Sequence, residues 1–318
     1  MTTLDGAQEA PVPEYAVTFR SGVETLAGTL ALPRGEGPLP GVLLVPGSGP
    51  LDRNSDHKRM PLGITGQLAD ALGTVGVATF RYDKRGVGGS TGSWHTAGFY
   101  DNRDDAAAAL EFLAARPEVD PTRIVVLGHS EGGLHAAGLA AAGAPAAGLV
   151  LLSCSATPGE ELLRWQSAQI APTLPRAIRG LLRLLRTDLE ARTAKTHTKI
   201  KATTTDAARI EGAKINARWH REFMVHDPRT DLARITVPVL AVTGGKDLQV
   251  PAADLATIRD LVPADVETHE LADLSHILRP QPGPASLSGY KREMRQPVDP
   301  ELVGLVVDWV SAHMGGTR

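Results

Sequence analysis

The stretch Ile124-Val125-Val126-Leu127-Gly128-His129-Ser130-Glu131-Gly132-Gly133 constrains this chain more than any other. Its first half is a short β-branched apolar run, the pattern of a strand buried on both faces. Its second half is Gly-x-Ser-x-Gly, followed by Gly133 and a helical run of Ala and Leu. A strand turning this sharply into a helix strains its middle residue and lifts that side chain above the sheet. Gly128 and Gly132 suit the turn because a Cβ at either position would collide across it. The lifted residue is Ser130, and free N–H groups at the start of the next helix favour negative charge developing beside it. An ordinary Gly-rich turn with an exposed serine has the same five letters, so the functional reading depends on partners elsewhere in the chain.

The remaining sequence supplies a frame for this turn. Residues 1–13 read as a loose leader, and residues 15–19 and 25–31 alternate around Ser21-Gly22 as a predicted antiparallel hairpin. Apolar strands are expected over 41–45, 77–81, 149–152 and 237–243, with a short one near 266–270. Helical spacing appears over 67–74, 102–115, 253–261 and 300–312. This alternation predicts an α/β fold, a mostly parallel central sheet with helices on both faces. From 157 to 230 it stops, leaving only helical stretches. A helical cap over 157–230 is therefore expected, inserted into a core of residues 1–156 and 231–318 above the strand ends, where open α/β sheets bind ligands.

With this order in place, the chain outside the cap resembles the α/β-hydrolase superfamily. That family runs nucleophile, acid, histidine along the chain. Val242-Thr243-Gly244-Gly245-Lys246-Asp247 ends a late strand in a Gly-rich turn, and Leu271-Ala272-Asp273-Leu274-Ser275-His276 follows the last strand. The resemblance thus implies a catalytic set of Ser130, Asp247 and His276. In it, His276 takes the serine proton and Asp247 fixes the imidazole tautomer. Asp273 is the competing acid, ranked lower because it precedes the histidine in the same loop. The oxyanion hole is expected from the backbone N–H of Glu131 and a second N–H after strand 41–45. There Pro46-Gly47 replaces the commoner His-Gly and puts Ser48 at the donor position, with Gly49 as the alternative. The Glu131 side chain either fixes this loop or faces solvent.

Gly47-Ser48-Gly49-Pro50-Leu51-Asp52-Arg53, Arg81-Tyr82-Asp83-Lys84-Arg85-Gly86 and Gly128–Gly133 together resemble a bacterial esterase subgroup of this fold with a helical cap. The resemblance implies cleavage of a carboxylic ester through an acyl-enzyme, with no cofactor and no metal. Thioesterase or acyltransferase chemistry on the same residues is the alternative, and a non-catalytic binding protein on this fold is a further one. An oligopeptidase reading fits poorly, since the N-terminal region is too short for a large gating domain. Gly47, Gly49, Arg53 and His129 are candidate substrate contacts. Asp52, Arg53, Asp83 and Arg85 are expected to form one charge network bracing the oxyanion loop, with Arg53 or Arg85 gripping a substrate carboxylate as the sharper alternative. Trp165 and Trp219 are expected to help the cap shape an apolar pocket for a small-molecule ester or thioester.

Other features mark classes to set aside. The formal net charge of −3 gives no reason to expect nucleic acid. No apolar run reaches membrane-spanning length, no signal peptide is visible, and the lone Cys154 excludes an internal disulfide, so a cytoplasmic protein is expected. Gly86-Val87-Gly88-Gly89-Ser90-Thr91 approaches a dinucleotide fingerprint but departs at its sixth position and opens no helix. His129 is expected to pack beside the turn, His135 to sit on a helix surface and Cys154 to fill core. Arg176, Arg179, Arg183 and Arg186 recur at helical spacing among leucines, as a solvated cap face with its Leu side on the substrate pocket, a surface-seeking basic helix being the alternative. Oligomeric state is not encoded in any of these patterns.

Overall fold

The computed structural model describes residues 11–173, Ala177 and residues 188–314; the Arg176–Arg186 stripe lies outside them. Strands β1 (Glu14–Ser21) and β2 (Glu24–Ala31) form the expected hairpin. They precede β3 (Leu39–Val45), the short pair β4 (Asp56–His57) and β5 (Met60–Pro61), and β6 (Ala78–Tyr82). Then come β7 (Val119–His129), β8 (Gly148–Leu152), β9 (Ala207–Ile210), β10 (Ala213–Asn216), β11 (Val239–Gly244) and β12 (Val266–Leu271). Eight strands make one sheet in the order β1-β2-β6-β3-β7-β8-β11-β12. Within this sheet only the β1–β2 and β2–β6 pairings are antiparallel, so the fold is the expected mostly parallel sheet.

Strand periodicity divides the core into two layers, since successive side chains point to opposite faces. Val42, Leu44, Val125, Leu127, Val150 and Leu152 face one layer, while Leu43, Val45, Val126, Leu149 and Leu151 face the other. Helix α1 (Ile64–Thr74) covers the first layer with Ile64, Leu68 and Leu72. Helices α2 (Phe99–Ala114) and α3 (Glu131–Ala141) cover the second with Ala106, Leu110, Leu113, Ala136 and Ala137. Burial on both sides explains why these strands read as continuous apolar runs instead of alternating ones.

Between β8 and β11 the chain leaves the sheet. It forms α4 (Gly159–Ile170), α5 (Leu189–Lys201), α6 (Ala217–Val225) and α7 (Pro228–Leu232). The expectation of helices alone is corrected here, because β9 and β10 pair as an antiparallel hairpin within this segment. Its turn is Glu211-Gly212, with φ of 51° and 85°. Two successive positive φ values match the right-handed strand twist of a tight hairpin. The segment departs over a firm joint. The Asp254 carboxylate, at the start of α8 (Asp254–Leu261), accepts bonds from Ser155 Oγ, the Ala156 and Thr157 N–H groups and Thr157 Oγ1. The chain closes through α9 (Tyr290–Glu293) and α10 (Pro300–Met314), which packs Leu302, Val306 and Val310 on the first layer.

Candidate active site

Strand β7 ends at His129, α3 begins at Glu131, and Ser130 between them has φ 55° and ψ −120°. A non-glycine residue there costs on the order of 1–3 kcal/mol and persists only where its surroundings fix it. They do: the Ser130 N–H donates to Leu152 O at 2.8 Å, and its carbonyl accepts from the Gly133 N–H at 2.9 Å. A Cβ on Gly128 would lie 2.2 Å from the Gly132 carbonyl, and one on Gly132 would lie 2.2 Å from Val45 O. Both glycines are therefore required by close backbone approach, as the sequence implied.

The fold brings Ser130, His276 and Asp247 together from three strand ends. His276 Nε2 lies 3.1 Å from Ser130 Oγ, and His276 Nδ1 lies 2.8 Å from Asp247 Oδ2. Asp247 Oδ1 accepts from the Gln249 and Val250 N–H groups at 2.7 and 2.9 Å. Burial alone would raise the Asp247 pKa, but His276 and the two N–H donors outweigh it and hold this carboxyl below its ordinary value. Asp247 thus stays ionised, with one oxygen fixed by backbone and the other free to orient the imidazole. Asp273 faces solvent and pairs with Lys246 at 2.6 Å instead.

His129 stands behind this histidine. Its Nε2–H donates to the His276 carbonyl at 2.9 Å, which assigns the proton to that nitrogen. Burial and the neighbouring His276 push its pKa down to about 3, so the ring is neutral. It is absent from the cavity wall, and its expected substrate contact is corrected to a brace on the histidine loop. The loop is further held by the buried Arg279, whose guanidinium donates to the carbonyls of Ile277 and Leu62.

Ser130 opens on a cavity of about 420 Å³ whose wall includes Ser48, Gly49, Trp94, Leu134, Trp219 and Phe223. Among the described residues, the N–H groups of Ser48, Gly49 and Glu131 have no backbone acceptor. The Glu131 N–H lacks one because the first turn of a helix has no intrahelical partner for its donors. Gly47 sits behind Ser48 and lies off the cavity wall, its carbonyl turned to Lys84 Nζ at 3.0 Å.

The Glu131 side chain is buried and turned away from solvent. Its Oε1 accepts from Lys84 Nζ at 3.0 Å, Asn102 Nδ2 at 2.9 Å and His135 Nε2 at 3.1 Å, while Oε2 accepts from Trp219 Nε1 at 2.9 Å. Burial would raise its pKa, but the Lys84 charge and the His135 bond dominate and hold it at about 2. This carboxylate joins the Gly47 loop, through Lys84, to α2, α3 and the inserted segment. His135 is accordingly buried, which corrects its expected place on a helix surface. Sequence reasoning missed Lys84, Asn102 and Trp219 as partners, since no local pattern links them to residue 131.

The expected single charge network is two separate ones. Arg53 grips Asp83 through Nε and Nη2 at 3.0 and 2.7 Å and also donates to Gly28 O and Thr29 Oγ1. These bonds consume its guanidinium away from the cavity, so Arg53 is corrected from a substrate contact to a brace. Arg85 instead pairs with Asp105 at 2.8 Å and Asp101 at 3.4 Å, though it does reach the cavity wall. Asp52 accepts from the N–H groups of Asn54 and Asp56 within its own loop. The 86–91 loop wraps Asp83, with the Gly89 N–H donating to Oδ2 at 3.0 Å. Trp165 packs against the core and does not reach the cavity.

Cys154 is buried beside Gly133, and burial pushes its thiol pKa up. Since the thiolate is the reactive form, iodoacetamide is expected to leave the native protein unlabelled and to add once after denaturation. Labelling of the folded protein, read by intact mass, would contradict the burial argument. No group of His, Cys, Asp and Glu able to hold a metal occurs among the described residues, and no described helix is long and apolar enough to cross a membrane.

Residues 61–279 match the family described as serine aminopeptidase, S33, which covers more than half the chain. Esterase EstD of Thermotoga maritima is 26% identical over 295 residues, 91% of this chain and 66% of that protein, so the chain spans just under two thirds of its length. An uncharacterized protein of Mycobacterium tuberculosis is 38% identical over 107 residues, 34% of this chain and 37% of its own. Among solved structures, Est1E of Butyrivibrio proteoclasticus with bound ferulic acid aligns with a TM-score of 0.62 at 18% identity, over 94% of this chain and 98% of that one. An esterase of Pyrococcus furiosus aligns with a TM-score of 0.61 at 16% identity, over 96% and 92% respectively. At these identities the alignments speak for the fold.

Proposed function

The chain belongs to the serine aminopeptidase S33 family of α/β-hydrolases, and from that premise we propose that it hydrolyses small carboxylic esters through an acyl-enzyme on Ser130. The observation that carries this reading is the unbroken chain Ser130 Oγ, His276, Asp247, with separations of 3.1 and 2.8 Å, its serine on the wall of the 420 Å³ cavity. Ser130 Oγ attacks the ester carbonyl carbon while His276 Nε2 takes its proton. The oxyanion that forms is met by the N–H groups of Glu131 and Ser48, neither of which has a backbone acceptor among the described residues. As the tetrahedral centre collapses, the bond to the alcohol oxygen breaks and Nε2 passes its proton to that oxygen. Water then attacks the acyl-enzyme, His276 takes its proton, and return of a proton to Ser130 Oγ frees the carboxylic acid. Each turnover consumes one ester and one water. Residues 157–230 act as a cap over a core of 1–156 and 231–318, excluding bulk water from the oxyanion.

An aminopeptidase reading, which the family description raises, lacks an anchor for the substrate's α-ammonium. The one acidic residue on the described cavity wall is Glu131, whose two oxygens are occupied by four donors, while Lys84 and Arg85 are paired with carboxylates and Lys214 on the same wall repels a cation. A p-nitrophenyl ester series from acetate to palmitate tests the proposal. Turnover is expected on the shorter esters and none on aminoacyl p-nitroanilides. Cleavage of the anilides in preference to the esters would overturn the reading. Release of thiol from acyl-thioesters in preference to esters would move the assignment to a thioesterase.

A further inference from the structure

A second cavity of about 480 Å³ lies inside the inserted segment, between α4, α5 and the β9–β10 hairpin. Leu163, Gln166, Ile215 and His220 border both this cavity and the one above Ser130. Because the same four side chains border both spaces, the partition is one side chain thick there. Building on the esterase reading, we infer that this partition is the length stop of the substrate site, and that the cavity behind it is a second subsite for an apolar chain, closed to the first chiefly by Ile215.

The chemistry of the second cavity favours hydrocarbon. Its wall includes Ile170, Ile200 and Ile210. The two formal charges on its wall, Arg192 and Glu211, pair with each other at 2.9 Å and leave no free ion for an anionic or cationic ligand. The one titratable residue of the partition, His220, has its pKa pushed down to about 4 by burial and by His197, so the partition carries no charge at neutral pH. An alkyl chain crossing there would desolvate no ion, and each methylene buried adds to its hold on the cavity.

The partition residues are not equally fixed. Gln166 is anchored by donating from Nε2 to Gln249 O at 2.7 Å, which ties α4 to the loop holding Asp247. His220 packs edge-on against Trp219 at 4.9 Å, and Leu163 packs on the core. Ile215 sits on β10, whose only strand partner among the described residues is β9, and its side chain can be shortened without touching a hydrogen bond. It is the specificity-determining residue of the wall.

The test compares kcat/KM for p-nitrophenyl decanoate with that for the acetate. Ile215→Ala is expected to raise the decanoate-to-acetate ratio by at least about tenfold, the scale set by a few methylenes in an apolar pocket. Adding Ala213→Trp, which fills the second cavity from the hairpin, is expected to return the ratio to the wild-type value. A ratio unchanged in Ile215→Ala, or a gain that survives Ala213→Trp, would overturn the inference. Ser130 phosphonylation by short- and long-chain alkyl fluorophosphonates reads the same ratio without ester turnover. A wild-type enzyme that labels but cleaves no ester would thus defeat the esterase reading while still deciding the subsite.

Discussion

Ser130→Ala should lower kcat on p-nitrophenyl acetate by about 10⁴–10⁶-fold, as removal of an activated nucleophile does in other serine hydrolases. The exchange deletes one oxygen whose only side-chain partner is His276 Nε2. Backbone bonds to Leu152 and Gly133 hold the strained turn, and both remain. Alanine tolerates φ 55° no worse than serine does, so the thermal midpoint should move by no more than about 4 °C. Circular dichroism melting alongside kinetics separates the two outcomes. Activity within tenfold of wild type in a folded variant would remove Ser130 from the chemistry, whatever its geometry.

That turn and its two partners were legible in the sequence because each is written locally. A Gly-x-Ser-x-Gly after an apolar run, an Asp in a Gly-rich turn and a His after the last strand are all contiguous patterns. Tertiary choices were less legible. Arg53 stood beside a catalytic loop and invited a ligand role, but Asp83, thirty residues on, accepts its guanidinium. His135 lies four residues after Glu131 on α3, and helical spacing alone does not say which face is buried until α2 and the inserted segment cover it. The β9–β10 hairpin escaped because its strands are four residues each, and its turn uses Glu211-Gly212 in place of the favoured Asn-Gly or Asp-Gly.

The side chain of Glu131 is the residue whose role the sequence left most open, and its replacement by glutamine should have the largest effect on stability. The carboxylate accepts from Lys84, Asn102 and His135 on one oxygen and from Trp219 on the other. A glutamine fills the same space but has one acceptor oxygen and one NH₂. In one orientation the NH₂ faces Trp219 Nε1–H; in the other it faces three donors, Lys84 among them. Either way donors meet, and Lys84 keeps a buried charge without its counter-ion. Breaking a buried ion pair from one side costs about 3–5 kcal/mol, so chemical denaturation should show a loss of that size. The pH dependence gives an independent sign. Because the Glu131 pKa falls from 4.5 to about 2 on folding, its contribution is full above about pH 4.5. It drains as pH falls toward 2, where the unfolded chain takes the proton first, and amounts to about 3 kcal/mol. The Glu131→Gln variant should lack that share of acid destabilisation, so its stability deficit narrows as pH drops. Catalysis should fall too, by roughly tenfold, less than the 10²–10³ of losing an oxyanion donor outright, because Lys84 also holds Gly47 O and a displaced ammonium loosens the loop that carries the Ser48 N–H. A deficit equal at pH 7 and pH 3 would show that the charge of Glu131 contributes nothing and that shape alone holds the hub. Trp219→Phe separates the two halves of the junction: it removes the donor from the inserted segment and trims a ring stacked on Phe223 at the cavity wall but leaves the Lys84 and His135 bonds, so it should spare the acid profile while raising KM.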